Sequence, residues 1–270
     1  MFRLDGHKAL VTGGTQGVGA AMAVAIAAAG ADVLIHGLRY DEAAESTLRA
    51  IRDLGRATDF VEGDLSQHPN EIIDSLYLAA QAKLNGIDLL INNAGTYREP
   101  SFLEADVDCC ERTMRINVYS GLFLTQRFAR AWMQRNVAGR VLFTSSINGL
   151  LSEPNHVFYD ASKGAVSAMV RSLAVSLAPN NIRVNAIAPG LVRTPLTNSV
   201  LSQDPAVLAW MKLHTPNGEV PEPDVCGPAA VFLLSDEARH IQGQTIYVDG
   251  GMSIWQQPDL PENLRPCFGM

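Results

Sequence analysis

The sequence predicts an α/β fold, a single domain on a doubly wound, seven-stranded parallel sheet with helices on both faces. Three observations carry this. Seven short β-branched runs alternate with six longer helical stretches, the pattern of strand–helix crossovers. Several runs are apolar without a polar alternate, as in Val33-Leu34-Ile35 and Leu89-Leu90-Ile91, which suits strands covered on both sides. No Pro/Ser/Gly-rich linker or shift of composition divides the 270 residues, so residues 1–270 read as one unit.

In chain order, the strands are expected at Lys8–Thr12, Asp32–His36, Thr58–Glu62, Ile87–Ile91, Arg140–Ser145, Arg183–Ala188 and Gln244–Val248. The helices between them are expected at 17–29, 41–54, 69–84, 104–136 with a break at its start, 157–178 and 224–234. Two segments depart from the alternation. Residues 191–223 carry five prolines and follow a strand's carboxyl end, where open α/β sheets bind ligands. They are expected to form a substrate lid, the alternative being a peripheral helical hairpin. Residues 253–270, with Trp255, Pro258, Pro261 and Pro266, form a C-terminal arm that either packs on a neighbouring subunit or frays.

Composition narrows the function. Apolar residues make up 47% and charged residues 18%, which excludes disorder, collagen and coiled coil. A net charge of −7 argues against nucleic acid as a partner. Cysteines 109, 110, 226 and 267 form no CxxC and read as incidental thiols of a reducing compartment. Met1–Gly6 has no apolar run of a signal peptide, and the apolar stretch Ala20–Ala29 is too short to span a bilayer. A cytoplasmic protein without a membrane partner is expected, and no metal-ligand spacing is present.

The first strand runs into Thr12-Gly13-Gly14-Thr15-Gln16-Gly17-Val18-Gly19 ahead of an Ala-rich helix. Such a turn lets the backbone approach a pyrophosphate at a helix N-terminus, or is only a tight connection. Tyr159 and Lys163, at i and i+4, place a phenol and an ammonium on one helix face. A neighbouring cation favours phenolate, which brings the hydroxyl toward working pH as a proton donor or acceptor. By themselves such pairs are usually surface decoration. Their company is Ser145-Ser146 at the end of the preceding strand.

Together these residues resemble the short-chain dehydrogenase/reductase family, in its single-domain Rossmann-type branch, over residues 5 to about 252. TGxxxGxG appears as Thr12, Gly13, Gly17 and Gly19, NNAG as Asn92 to Gly95, and YxxxK as Tyr159 with Lys163. Asn117, Ser146 and Pro189-Gly190 with Thr194 complete the pattern. The resemblance implies an NAD(P)-dependent oxidoreductase interconverting a secondary alcohol and a carbonyl, with a small-molecule alcohol or ketone as substrate. Tyr159 would exchange a proton with the substrate oxygen, and Ser146 would hydrogen-bond that oxygen. Lys163 would hold the nicotinamide ribose and keep the Tyr159 pKa low, and Asn117 would anchor a water, unless it only kinks or caps its helix.

Cofactor contacts are implied for Gly13, Thr15, Gln16, Gly17, Val18 and Gly19 in the first turn. Asp64 with Leu65 (or a turn-forming Asp64) would meet the adenine, and Asn93, Ala94 and Gly95 its ribose side. Tyr159, Lys163, Pro189, Gly190, Val192 and Thr194 would lie toward the nicotinamide. Arg39 follows a strand end with Gly37 where an acid would select NAD, so NADP(H) is favoured and NAD(H) is the alternative. Thr96–Ser101, Ile147–Val157, Val192–Thr215 and Gly251–Trp255 would wall the substrate pocket. Asn148, Glu153, Asn155 and His156 make its second wall polar, or form a solvated loop. The polar wall and the tail resemble sugar-oxidising members such as glucose 1-dehydrogenases. A 3-oxoacyl-carrier-protein reductase is the alternative, and a catalytically silent nucleotide-binding sensor is the reading from another class. The resemblance also implies a homo-oligomer, a tetramer, paired through helices 104–136 and 157–178.

Overall fold

The computed structural model describes residues 2–195, 197 and 205–255. Seven strands form one sheet: β1 (Lys8–Val11), β2 (Asp32–Gly37), β3 (Thr58–Glu62), β4 (Leu89–Asn92), β5 (Arg140–Thr144), β6 (Arg183–Pro189) and β7 (Thr245–Val248). All neighbours pair in parallel, in the order β3-β2-β1-β4-β5-β6-β7. The order reverses direction between β1 and β4, which opens a crevice beyond their carboxyl ends.

The unbroken apolar runs are explained by two cores. Leu10, Leu34, Leu90, Val141 and Val184 point to one face, under α3 (Pro69–Lys83), α5 (Ser120–Arg135) and α6 (Val157–Leu177). Ala9, Val11, Val33, Ile35, Leu89 and Ile91 point to the other, under α1 (Gly17–Ala28), α2 (Glu42–Asp53) and α8 (Cys226–Leu234). Successive side chains of a strand alternate between faces, so both alternates must be apolar. Each buried Leu or Ile contributes roughly 1.5–3 kcal/mol. Trp132 of α5 closes the base of the first core and donates its indole N–H to the Ile87 carbonyl at 2.8 Å.

Element ends shift by one or two residues from expectation: β4 begins at Leu89, and Ser145 lies beyond β5. The larger difference is in the long helix. It is broken in its middle, not at its start: α4 (Val107–Met114) passes through a π-helical turn at Arg115–Tyr119 into α5. Within 191–223, α7 (Pro205–Leu213) is helical, while residues 196 and 198–204 lie outside the described residues, as do Cys267 and most of the expected C-terminal arm. Cys109, Cys110 and Cys226 are free thiols. Among the described residues no helix is long and apolar enough to cross a membrane.

Candidate active site

The crevice is built on a buried hydroxyl. Thr12 Oγ accepts the Asn93 and Ala94 backbone N–H groups at 3.0 and 3.1 Å and donates to the Ile91 carbonyl at 3.3 Å. The Asn93 amide returns two hydrogen bonds to the Thr12 and Gly13 carbonyls and accepts from Thr144 Oγ at 3.1 Å. The Asn93 side chain is thus committed to holding three strand ends together. A Cβ on Gly19 would collide with the Gly13 carbonyl oxygen and the Asn93 amide, so only glycine lets α1 start so close to the turn. Gln16 is the N-cap of α1, but its side chain makes no capping hydrogen bond. First-turn N–H groups of Gly17, Val18 and Gly19 therefore retain donor capacity for an anion.

His36, at the end of β2, is 3% exposed and was not singled out by its sequence position. Its Nδ1 accepts from the Gly13 N–H at 3.4 Å while Nε2 donates to the Gly63 carbonyl at 3.0 Å. Both contacts require a neutral ring, and burial pushes its pKa down to about 4. The next position, Gly37, has no space for a side chain: a Cβ would lie 2.6 Å from Thr15 Cγ2 and 3.0 Å from the Phe60 ring. The Arg39 side chain is 79% exposed and 3.6 Å from Asp41, which itself caps α2 through the Ala44 N–H. Asp64 forms a turn, its Oδ1 accepting from the Ser66 N–H at 2.9 Å, and Leu65 is buried.

Beyond β6, Gly190 donates its N–H to the Val248 carbonyl. Val192 is buried, and its carbonyl accepts from Thr197 Oγ, which also accepts the Thr194 N–H. This places Thr194 beside the glycine turn: a Cβ on Gly17 would lie 3.5 Å from Thr194. The expected lid segment is thereby tied to the mouth of the turn.

On the opposite side, β5 delivers Ser146 and α6 delivers Tyr159 and Lys163. The start of α6 is capped from a distance by Glu99, whose carboxylate accepts the Phe158 and Tyr159 N–H groups at 3.3 and 3.0 Å. Lys163 is buried, donates to the Thr144 carbonyl at 2.9 Å, and has its pKa pushed down to about 8 by burial. Its ammonium lies 5.6 Å from the centroid of the Tyr159 ring. Contrary to expectation, the ammonium does not hold the Tyr159 pKa down in this chain. Burial pushes the phenol up to about 12, the Ser146 hydrogen bond opposes this, and the Glu153 and Asp160 charges add to the rise. Desolvation outweighs a cation that is not in direct contact with the phenol oxygen.

Asn117 lies in the π-helical turn. Its amide donates to the Thr96 carbonyl and Ser162 Oγ, both at 2.9 Å, and accepts the Thr96 N–H at 2.7 Å. A side chain so occupied leaves the main chain to hold any water. A Cβ on Gly95 would sit 3.4 Å from Asn117 Oδ1 and 3.7 Å from Lys163 Nζ, so the NNAG segment passes directly between them.

The wall above Tyr159 is polar and connected. The Tyr97 ring stacks on His156 at 3.9 Å, meets Tyr159 edge-on at 4.9 Å, and its hydroxyl donates to Glu153 at 2.6 Å. Of the polar loop expected from the sequence, Asn148, Glu153 and His156 face inward, whereas Asn155 is exposed. Tyr97, Glu99 and Asp160 were missed individually, because each acts across a sequence gap that no local pattern reports.

A family model described as enoyl-(acyl carrier protein) reductase matches residues 13–253. The chain is 34% identical over 253 residues to 3beta-hydroxysteroid dehydrogenase 1 of Eggerthella lenta, covering 93% of this chain and 95% of that one. It is 33% identical over 254 residues to a glucose 1-dehydrogenase of Gluconobacter oxydans, covering 94% of each. Among solved structures, a gluconate 5-dehydrogenase of Burkholderia cenocepacia, in complex with NADP and tartrate, superposes with a TM-score of 0.86 at 32% identity. That match covers 94% of this chain and 98% of the other.

Proposed function

The chain belongs to the short-chain dehydrogenase/reductase family, and on that premise we propose that it uses NADP(H) to interconvert a polyhydroxylated secondary alcohol and its carbonyl compound. The observation that carries this reading is the convergence of Ser146, Tyr159 and Lys163 at the crevice, with the Ser146 hydroxyl on the Tyr159 phenol. A sensor has no use for such a proton path.

The turn fits a dinucleotide. Gly17, Val18 and Gly19 offer N–H groups for the pyrophosphate, Arg39 is exposed for a 2′-phosphate, and no carboxylate stands at Gly37 to repel one. The bound nicotinamide supplies or accepts the hydride. Tyr159, protonated at neutral pH, delivers a proton to the carbonyl oxygen, and Ser146 steadies the charge developing on it. Lys163, held by the Thr144 carbonyl, would contact the nicotinamide ribose. Glu153, His156 and Tyr97 present hydrogen-bonding groups suited to a hydroxylated substrate rather than a long acyl chain. The net charge of −7 also disfavours docking of an acidic carrier protein.

The protein assembles as a homotetramer. Tyr119, Phe123, Val157 and Val175 expose apolar surface on the π-helical turn, α5 and α6, whereas Phe128, Trp132 and Val170 of the same helices are buried in the core. Light scattering at micromolar concentration checks the assembly. The free thiols support a cytoplasmic location. The activity is tested at 340 nm with NADP(H) and NAD(H) against D-glucose, D-gluconate, a 3β-hydroxysteroid and a 3-oxoacyl thioester. Turnover of the thioester alone would overturn the sugar reading.

A further inference from the structure

Asn148 occupies the turn immediately after Ser146 and is buried. Its amide nitrogen donates both hydrogens to carboxylates: to Asp160 Oδ1 at 2.8 Å and to Glu153 Oε1 at 3.2 Å. Asp160 is held in turn by the Glu153 N–H at 2.9 Å, and Glu153 by the Tyr97 hydroxyl. Ionised carboxylates only accept, so the amide has one permitted orientation and its oxygen must face the other way. There Oδ1 lies 3.3 Å from Ser146 Oγ, and the Asn148 N–H donates to the same Oγ at 3.1 Å.

We propose that Asn148 is a positioning residue for the reaction, and that the Glu153–Asp160 pair, by fixing its amide, sets the direction of the Ser146 hydroxyl. With no substrate bound, the Ser146 hydrogen points to Asn148 Oδ1, and the Asn148 N–H occupies one lone pair of Ser146 Oγ. At 3.3 Å the bond to Oδ1 is longer than a good O–H···O contact. A substrate oxygen beside Ser146 is the better acceptor and takes that hydrogen while Asn148 keeps the rotor from turning to backbone acceptors. Asn148 itself touches neither substrate nor cofactor in this role. The inference rests on the proposed reaction and on Ser146 as its hydrogen-bond donor.

The test is a double-mutant cycle on the panel compound with the highest wild-type kcat/KM. Asn148→Ala should lower kcat by about tenfold to a hundredfold, less than loss of an oxyanion donor itself, with cofactor Kd moved by no more than about twofold. On the Ser146→Ala background the same substitution should cost almost nothing, because Asn148 acts through that hydroxyl. If Asn148→Ala does not fold, the shape-conserving pair carries the test. Asn148→Asp sets three carboxylates together and should inactivate. Adding Asp160→Asn returns a donor to the contact and should recover about tenfold of that loss. Equal costs of Asn148→Ala with and without Ser146 would overturn the proposal, as would a wild-type kcat in Asn148→Ala or no recovery in the swap. Absence of turnover by the wild type would overturn the reading of the reaction, and this role with it.

Discussion

The Lys163 ammonium lies 5.6 Å from the Tyr159 ring centroid but only 2.9 Å from the Thr144 carbonyl oxygen. Its nearest partner is the end of β5, so in the chain alone it steadies the strand more than it tunes the phenol. Tyr159 accordingly remains a protonated acid at neutral pH, suited to giving a proton to a carbonyl.

Tyr159→Phe keeps the ring packed against Tyr97 and removes only the proton. We expect kcat to fall roughly 10²–10⁴-fold, with cofactor affinity by fluorescence titration unchanged. A variant retaining a large share of wild-type turnover would take Tyr159 out of the mechanism.

Lys163→Met should separate function from stability. Burial lowers the Lys163 pKa from 10.5 to about 8, so the unfolded chain binds the proton more tightly than the folded one. The sign is a cost to folding, complete below pH 8 and vanishing as pH rises to 10.5, of at most about 3 kcal/mol. Loss of the Thr144 hydrogen bond offsets part of the gain. Thermal melts at pH 7 should show Lys163→Met at or above wild-type Tm, with weaker cofactor binding. A clear drop in Tm would contradict the assignment of a strained buried cation.

His36 gives a second pH dependence. Its folded pKa of about 4 lies below the unfolded 6.5, so its contribution is intact above pH 6.5 and is lost as pH falls toward 4. Wild-type stability should decline by about 3 kcal/mol across that window. His36→Gln keeps a donor for the Gly63 carbonyl, and its profile should be flatter; denaturant midpoints at pH 7 and 4.5 compare the two.

Glu153→Gln removes one of the two negative charges that raise the Tyr159 pKa. The rise of alcohol oxidation with pH should therefore move downward, by up to about one unit. A profile that stays in place would mean the Glu153 charge is screened from the phenol.

Arg39→Ala should reduce kcat/KM for NADPH by about tenfold and leave NADH nearly untouched, since only one cofactor carries the extra phosphate. Equal losses would place the selectivity elsewhere. The complementary substitution Gly37→Asp is not a clean switch. With Thr15 Cγ2 2.6 Å from the new Cβ, it should disturb the glycine turn and weaken both cofactors.

What was legible in the sequence has a physical pattern. The strands announced themselves because both faces of the sheet are covered, and Tyr159 with Lys163 because a helix brings i and i+4 together. Glu99 capping α6 from some sixty residues away, His36 bridging Gly13 and Gly63, and Asn148 joined to Asp160 were illegible for the opposite reason. Each depends on where the chain returns, and side-chain polarity alone does not tell a committed hydrogen bond from a solvated one. The Tyr159 pKa was misjudged on the same ground, since the sequence shows the neighbouring charge but not the burial.

The π-helical turn at Arg115–Tyr119 adds one residue to a turn, so α4 and α5 are out of phase by about 100° although they run on as one rod. Chain length at that point is therefore a geometric parameter of the site, as much as any side chain. Deleting a single residue between 115 and 119 would let an ordinary α-helix close over the gap. Asn117 would then swing away from Thr96 and Ser162 while the apolar face of α5 stayed in the core. The crevice would lose its tether to the NNAG segment with every motif residue still present.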